Sequence, residues 1–358
     1  MPLAGNRDLE QTRRRLTDWL RGQMPRAENL ELSELTGPPS TGFSNETLLF
    51  DASWSEDGKD LRQGLVARVK ATAFQVFPEY DVARQYRVMK ILGADGSVPV
   101  PRMYGFEADD RVLGAPFFLM ERIAGEVPSD NPPYHAAGWV TEIDAEARGR
   151  LWWSGVEALA RIHRLDWRSL GLGFLDTPGD APTPLERQLD YYERFLGWAA
   201  GGKPHPLECS ALEWLRRHRP RDAEPVVLSW GDSRLGNLMF RESRCVAVLD
   251  WEMATLASPV MDLAWWLYFD RHHSEGCDVP RLDGFPSHEE TVARYREETG
   301  FTTDSLGYYE LFAALRFAVI MIRVGQQLIG AGLLPADSDF ETNNTATQML
   351  RKVLAAAR

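Results

Sequence analysis

The sequence predicts an α+β chain in two parts: a small antiparallel, β-rich part over residues 1–123 and a larger, mostly helical part over residues 124–358. Three observations predict it. Short alternating or β-branched segments crowd into the first part around a single helical period. From Arg150 onward the helical period dominates. Between them, near Glu121–Gly125, the composition changes. A chain of 358 residues is long enough for two such bodies.

Residues Arg7–Met24 place Leu9, Leu16, Trp19 and Leu20 on one face of a leading helix. Asn29–Leu35 alternates, and Thr47–Trp54 alternates loosely after a Gly/Ser turn. Gly64–Val69 is a β-branched run that follows the Asp57-Gly58-Lys59 turn. Tyr80–Leu92 returns to a helical period through Val82, Tyr86 and Met89, until Pro99 and Pro101 force an extended path. Arg102–Glu107 and Val112–Arg122 then read as strands, which gives the order β-β-β-α-β-β. Glu126–Arg148, with Pro128, Pro132 and Pro133, reads as a long loop or irregular excursion. Helices are expected over Leu151–Leu165, Leu185–Ala200, Leu207–Arg217, Pro259–Phe269, His288–Glu298, Leu306–Leu328 and Thr345–Ala357. Short strands at Val226–Ser229, Leu238–Arg241 and Val246–Leu249 interrupt them.

A net charge of −12 and the lack of any Lys/Arg-rich block argue against nonspecific nucleic-acid binding. Cys209, Cys245 and Cys277 form no C-x-x-C pair, which suggests a reducing compartment and no zinc site. No apolar signal-peptide core opens the chain. The most apolar stretch, Leu311–Leu334, is interrupted by Arg316, Arg323, Gln326 and Gln327, so it reads as a buried helix rather than a membrane span. The expectation is a cytoplasmic protein that binds neither nucleic acid nor membrane.

Chemistry concentrates in Ser229–Glu252. Asp232, Asn237 and Asp250 supply a carboxylate, an amide and a second carboxylate, the last two able to converge on one cation. Such a set suits phosphoryl transfer, where the protein positions a nucleophile and bound metal neutralises phosphate charge. Thr36–Asn45, small residues between two strands, lets backbone N–H groups approach phosphates, although it matches neither G-x-G-x-x-G nor G-x-x-x-x-G-K-[ST].

Six segments, in order, carry a resemblance: Gly42-Phe43-Ser44-Asn45-Glu46-Thr47, Val98-Pro99-Val100-Pro101, Gly114–Glu121, Gly231–Asn237, Val248–Glu252 and Asp262-Leu263-Ala264-Trp265. Together they resemble the aminoglycoside phosphotransferase/choline kinase-like family, which has a two-lobed protein-kinase-like fold. The similar branch includes the phosphotransferase domain of acyl-CoA dehydrogenase-family proteins and actinobacterial aminoglycoside phosphotransferase-type proteins. The resemblance implies transfer of the γ-phosphate of ATP or GTP, with magnesium, to a hydroxyl of a small-molecule acceptor.

The same resemblance assigns roles. Asp232 would be the catalytic base, and Arg234 would face charge building on the transferred group. Asn237 and Asp250 would hold the metal. Gly42, Phe43, Ser44 and Asn45 would cover the phosphates, Arg68 would grip them, and Glu121 and Ile123 would meet the base of the nucleotide. Asp262 would brace the catalytic loop, and Glu126–Arg148 with the C-terminal helices would form a lid. The acceptor stays open among aminoglycosides, macrolides, amino alcohols and hydroxyacyl compounds. Two positions depart from the family pattern. Gln85 stands where a glutamate usually pairs with the Arg68 position, and Trp230 stands where a histidine usually precedes Gly-Asp. They support the alternative of a non-catalytic nucleotide-binding module. Trp230 itself is expected to be a buried scaffold residue, and His163, Trp152, Trp153, Trp265 and Trp266 read as packing.

Overall fold

The computed structural model describes residues 7–37, 45–72, 74–220 and 224–358. Gly42, Phe43 and Ser44 lie outside the described residues, as does the Asn45 side chain. The chain divides into two compact units, Met1–Gly96 with Val100–Ala124, and Ser97–Pro99 with Gly125–Arg358.

In the first unit α1 (Leu9–Gln23) starts where the Asp8 carboxylate accepts from the Gln11 N–H, and it buries Leu16 and Leu20. Then follow β1 (Glu28–Leu32), β2 (Asn45–Glu56), β3 (Lys59–Lys70), α2 (Val82–Asp95), β4 (Met103–Glu107), α3 (Asp110–Leu113) and β5 (Phe117–Glu121). The five strands form one antiparallel sheet in the order β1-β2-β3-β5-β4. The β2–β3 ladder runs from Asn45↔Lys70 to Glu56↔Lys59, well past the expected apolar stretches. Asp57 and Gly58 both have positive φ, +51° and +72°, the turn that suits the twist of a hairpin. Val112–Arg122 is not one strand. Asp109 caps α3 through the Arg111 N–H, Gly114 ends it at φ +83°, and β5 begins only at Phe117. Phe50, Leu65, Ala67, Val69, Phe117 and Leu119 bury one sheet face with Leu16 and Leu20, while α2 packs on β3, β4 and β5.

The second unit contains α4 (Trp139–Glu142), α5 (Ala145–His163), α6 (Pro184–Ala200), α7 (Pro206–Arg217), β6 (Val227–Ser229), β7 (Leu238–Arg241), β8 (Arg244–Val248), β9 (Thr255–Ala257), α8 (Pro259–His273), α9 (His288–Thr299), α10 (Leu306–Gly330) and α11 (Thr345–Ala357). The hairpin β7–β8 and the pair β6–β9 are separate two-stranded sheets. Strand β9, absent from the expected elements, pairs Ser229↔Thr255 and so anchors both ends of the motif stretch. Helix α10 is long and apolar enough to cross a bilayer by length and composition alone. Here α8, α11, α7 and α6 pack around it.

Glu126–Arg148 is irregular as expected until α5, with only the short α4 within it, but it is tied down. Glu126 exchanges two backbone hydrogen bonds of 2.8 Å with Phe240, so the segment starts as an extra edge beside β7. Tyr134 and His135 are buried, and both bond the Asp270 carboxylate, at 3.2 and 3.1 Å. Helix α5 already begins at Ala145. A proline-rich composition reports local irregularity, while burial here comes from partners more than a hundred residues away.

Candidate active site

The loop from Trp230 to Asn237 leaves β6 and enters β7, and α8 fixes it from below through one buried carboxylate. Asp262, in the first turn of α8, accepts from Ser229 Oγ at 2.8 Å, the Trp230 N–H at 2.6 Å and the Gly231 N–H at 3.0 Å. His163 Nε2 adds a fourth contact at 3.1 Å, and its Nδ1 meets the Tyr295 hydroxyl at 2.5 Å. Burial pushes the Asp262 carboxyl up, but the His163 and Ser229 hydrogen bonds and the Arg316 charge outweigh it and hold the group below its usual range. The loop is thus anchored on an ionised side chain. At Gly231 φ is +91°, and a Cβ there would run into the Met253 carbonyl, so no other residue fits this turn.

Asp232 emerges from that anchor with its carboxylate held on both oxygens. Trp265 Nε1 donates to Oδ1 at 2.7 Å, and Asn237 Nδ2 donates to Oδ2 at 2.6 Å. Arg234 Nε lies 3.1 Å from each oxygen. The carboxylate keeps 16% exposure, enough to meet a small molecule. Arg234 is also held from its other side. Its Nη1 pairs with Asp130, and the group lies over the Phe269 ring at 5.4 Å. Burial alone would lower the Arg234 pKa, but the Asp130 and Asp232 charges raise it above its ordinary value.

Asn237 and Asp250 are brought to the same end of the β7–β8 hairpin. Leu238 pairs with Val248, and the Leu249 N–H donates to the Asn237 carbonyl at 2.9 Å, so Asp250 follows directly. Asp250 has φ +56°, a left-handed backbone that a non-glycine residue adopts at a cost, as functional sites often do. With Asn237 Nδ2 donating to Asp232, the amide oxygen is the atom that remains for a cation. An amide oxygen and a carboxylate form a hard donor set of the size magnesium takes from protein, phosphate and water supplying the rest. The residues therefore fit that ion.

In the first unit Arg68 Nη1 donates to Thr47 Oγ1 across the β2–β3 ladder at 3.1 Å. Gln85 is buried in α2 with its Nε2 lacking a hydrogen-bond partner among the described residues. The Glu121 and Arg122 N–H groups donate to the Arg102 and Gly64 carbonyls, so Ile123 is the first residue past the ladder.

A family model described as phosphotransferase enzyme family matches residues 38–297. The chain belongs to this family. Mouse acyl-CoA dehydrogenase family member 10 is 30% identical over 304 residues, covering 81% of this chain and 27% of that protein. The chain spans 27–39% of the length of the first curated relatives it matches. A crystal structure of a Ralstonia eutropha protein, provisionally named an aminoglycoside phosphotransferase, is 26% identical with a TM-score of 0.68, covering 95% of each chain. The GDP complex of aminoglycoside 2'-phosphotransferase-IIIa, 12% identical with a TM-score of 0.57 and covering 97% of this chain and 99% of its own, shares the kinase-like fold.

Around Asp232, several residues escaped the sequence. Trp265 was read as packing, yet its indole touches the carboxylate. Arg316 was read only as a break in an apolar run, though it donates to the Gly231 carbonyl at 2.8 Å. Asp130 had no assigned role. The one signal for Arg316 was an arginine set deep within an apolar helix, where it needs a partner. Trp230 is fully buried and donates from Nε1 to the Leu249 carbonyl at 2.8 Å, as a scaffold residue should.

Proposed function

We propose that the chain transfers the γ-phosphate of ATP or GTP to a hydroxyl of a small-molecule acceptor. The observation that carries this reading is the Asp232 carboxylate, oriented by Trp265, Asn237 and Arg234 with its side chain still partly exposed. Asp232 aligns the acceptor hydroxyl and takes its proton as the oxygen bonds to phosphorus; the bond to the β-phosphate breaks and the diphosphate leaves. Asn237 and Asp250 would hold magnesium, which when bound neutralises phosphate charge. Arg234 would add positive charge beside the transferred group. In the first unit we assign Arg68 to the nucleotide phosphates, with Gly42, Phe43, Ser44 and Asn45, and the backbone from Glu121 to Ile123 to its base. The GDP complex of a structural neighbour supports a nucleotide co-substrate, and the family supports a small-molecule acceptor.

The test is a phosphoryl-transfer screen against aminoglycosides, macrolides, amino alcohols and hydroxyacyl compounds, with ATP and GTP, for wild type and Asp232→Asn. Loss of a carboxylate in this role should lower turnover by about 100- to 10,000-fold. Gln85, whose buried Nε2 has no partner among the described residues, favours one rival, a nucleotide-binding module without activity. Nucleotide binding with magnesium, but no turnover above Asp232→Asn on any acceptor or on water, would establish that rival instead.

A further inference from the structure

A buried guanidinium is costly unless something compensates it. Arg316 is 2% exposed in the middle of α10 and forms no direct ion pair among the described residues, although its charge acts on the buried Asp262 carboxylate. An apolar side chain of that size would serve packing better. The contacts Arg316 does make converge on one place. Nη2 donates to the Gly231 carbonyl at 2.8 Å, immediately before Asp232. The guanidinium plane lies 4.2 Å from the Trp265 ring centroid, and Trp265 donates to Asp232 Oδ1 at 2.7 Å. Nε donates to the Tyr192 hydroxyl at 3.1 Å, which ties the group to α6. Nη1 has no partner among the described residues, so the group is shaped by those contacts rather than by full satisfaction of its donors.

We propose that Arg316 is a positioning residue for the transfer, fixing the backbone of Asp232 through the Gly231 carbonyl and its side chain through the Trp265 indole. The inference rests on Asp232 being the catalytic base. Gly231 is then held at both ends, its N–H by Asp262 from α8 and its C=O by Arg316 from α10. The indole is held over the guanidinium so that its N–H points at Oδ1. One cation therefore sets two of the restraints that aim the carboxylate. Displacements of about 1 Å in such a group can cost on the order of 100-fold in rate.

The experiment has two arms. In the first, kcat and nucleotide KM are measured for Arg316→Met, Arg316→Lys, Trp265→Phe and the Arg316→Met/Trp265→Phe pair, with urea denaturation alongside. Each single loss should lower kcat by about tenfold or more with KM within about twofold. The pair should lose no more than the worse single variant, because both act through one restraint. Arg316→Lys, which keeps a donor for the carbonyl but not the flat fork, should fall between. Additive losses, or KM rising in step with falling kcat, would overturn the proposal. The second arm needs no turnover. Among the 12 tryptophan indole N–H resonances, the one removed by Trp265→Phe should shift in Asp232→Asn and again in Arg316→Met. A resonance that ignores Arg316 would refute the clamp even in an active enzyme. Turnover absent from wild type would instead remove the catalytic reading and leave the clamp to this arm. Should Arg316→Met fail to fold, Arg316→Lys and Trp265→Phe carry both arms.

Discussion

Asp262 and Asp270 stand about two turns apart on α8, and both are buried, yet they collect different donors. Asp262 takes two backbone N–H groups of the Trp230–Asn237 loop, a serine and a histidine. Asp270 takes only side chains: Tyr134, His135, Arg281 Nε at 2.7 Å and His288 Nε2 at 2.9 Å. Burial pushes both carboxyls up, and hydrogen bonds from histidine, first among several partners, bring both below their usual range. The electrostatics are alike, but the consequences differ. A carboxylate bonded to backbone fixes the path of a chain and so the aim of Asp232. A carboxylate bonded to side chains fastens segments, here the stretch after Gly125 and the loop that holds Arg281.

The largest effects should come from removing each hub in turn. Asp262→Ala and Asp270→Ala should each cost about 3–5 kcal/mol by urea denaturation, because each strands buried partners. Activity should separate them. Asp262→Asn, read at a temperature where it stays folded, should lose kcat far more than Asp270→Asn, since only the first releases the Trp230 and Gly231 N–H groups. Equal kcat losses would mean that α8 acts as one rigid body and the comparison has no functional content. Acid gives a second reading of Asp270, which faces Tyr134, His135, Arg281 and His288. A carboxylate lowered on folding contributes stability that is present above the unfolded value, about pH 4, and lost as pH falls below it. Below that point Asp270→Asn should therefore lose less stability than wild type does.

Next in size is the end of α8 beyond Asp270. Burial lowers His272 to about 3 and His273 to about 4, while Asp130 opposes the shift and Arg234 adds to it. Around them stand Asp130, Arg234, His135 and Asp270. A histidine lowered on folding binds its proton more readily when unfolded. Stability should then fall from about pH 6.5 downward, by about 1.4 kcal/mol per pH unit for each group. His272→Phe, placed against Phe317 at 4.9 Å, should remove one group's share of that slope. Denaturation midpoints at pH 7, 6 and 5 decide it, and an unchanged slope would show that water reaches the ring.

What was legible follows the range of the interactions. The β2–β3 hairpin was visible because Asp57-Gly58 and its flanking strands are local, and the spacing of Asp232, Asn237 and Asp250 because one hairpin holds them. Strand β9 is three residues without alternation, defined by its pairing with the distant β6. Tyr134 and His135 looked like loop residues because their partner, Asp270, is remote in sequence. Trp265 reaches Asp232 and Arg316 the Gly231 carbonyl from two helices, and a helical period says which face is buried, not which atom a buried tip will touch. The acids within the apolar run of α8 and the arginine within α10 were the available hints, since each needed a partner.

The smallest effect should fall on Trp230, at the start of the Trp230–Asn237 loop. Its indole bonds Leu249, next to Asp250, while its backbone N–H bonds Asp262, so the residue links the metal-side hairpin to the anchor under Asp232. Only the indole bond depends on side-chain identity. Trp230→Phe keeps an aromatic ring and the backbone bond but loses that donor, so stability should fall by about 1 kcal/mol. Nucleotide affinity, measured by calorimetry with magnesium, should stay within about twofold. A tenfold weaker affinity at unchanged stability would show that the indole shapes the metal-binding end of the hairpin. Trp230 would then belong with Trp265 and Arg316, among the groups that aim the site.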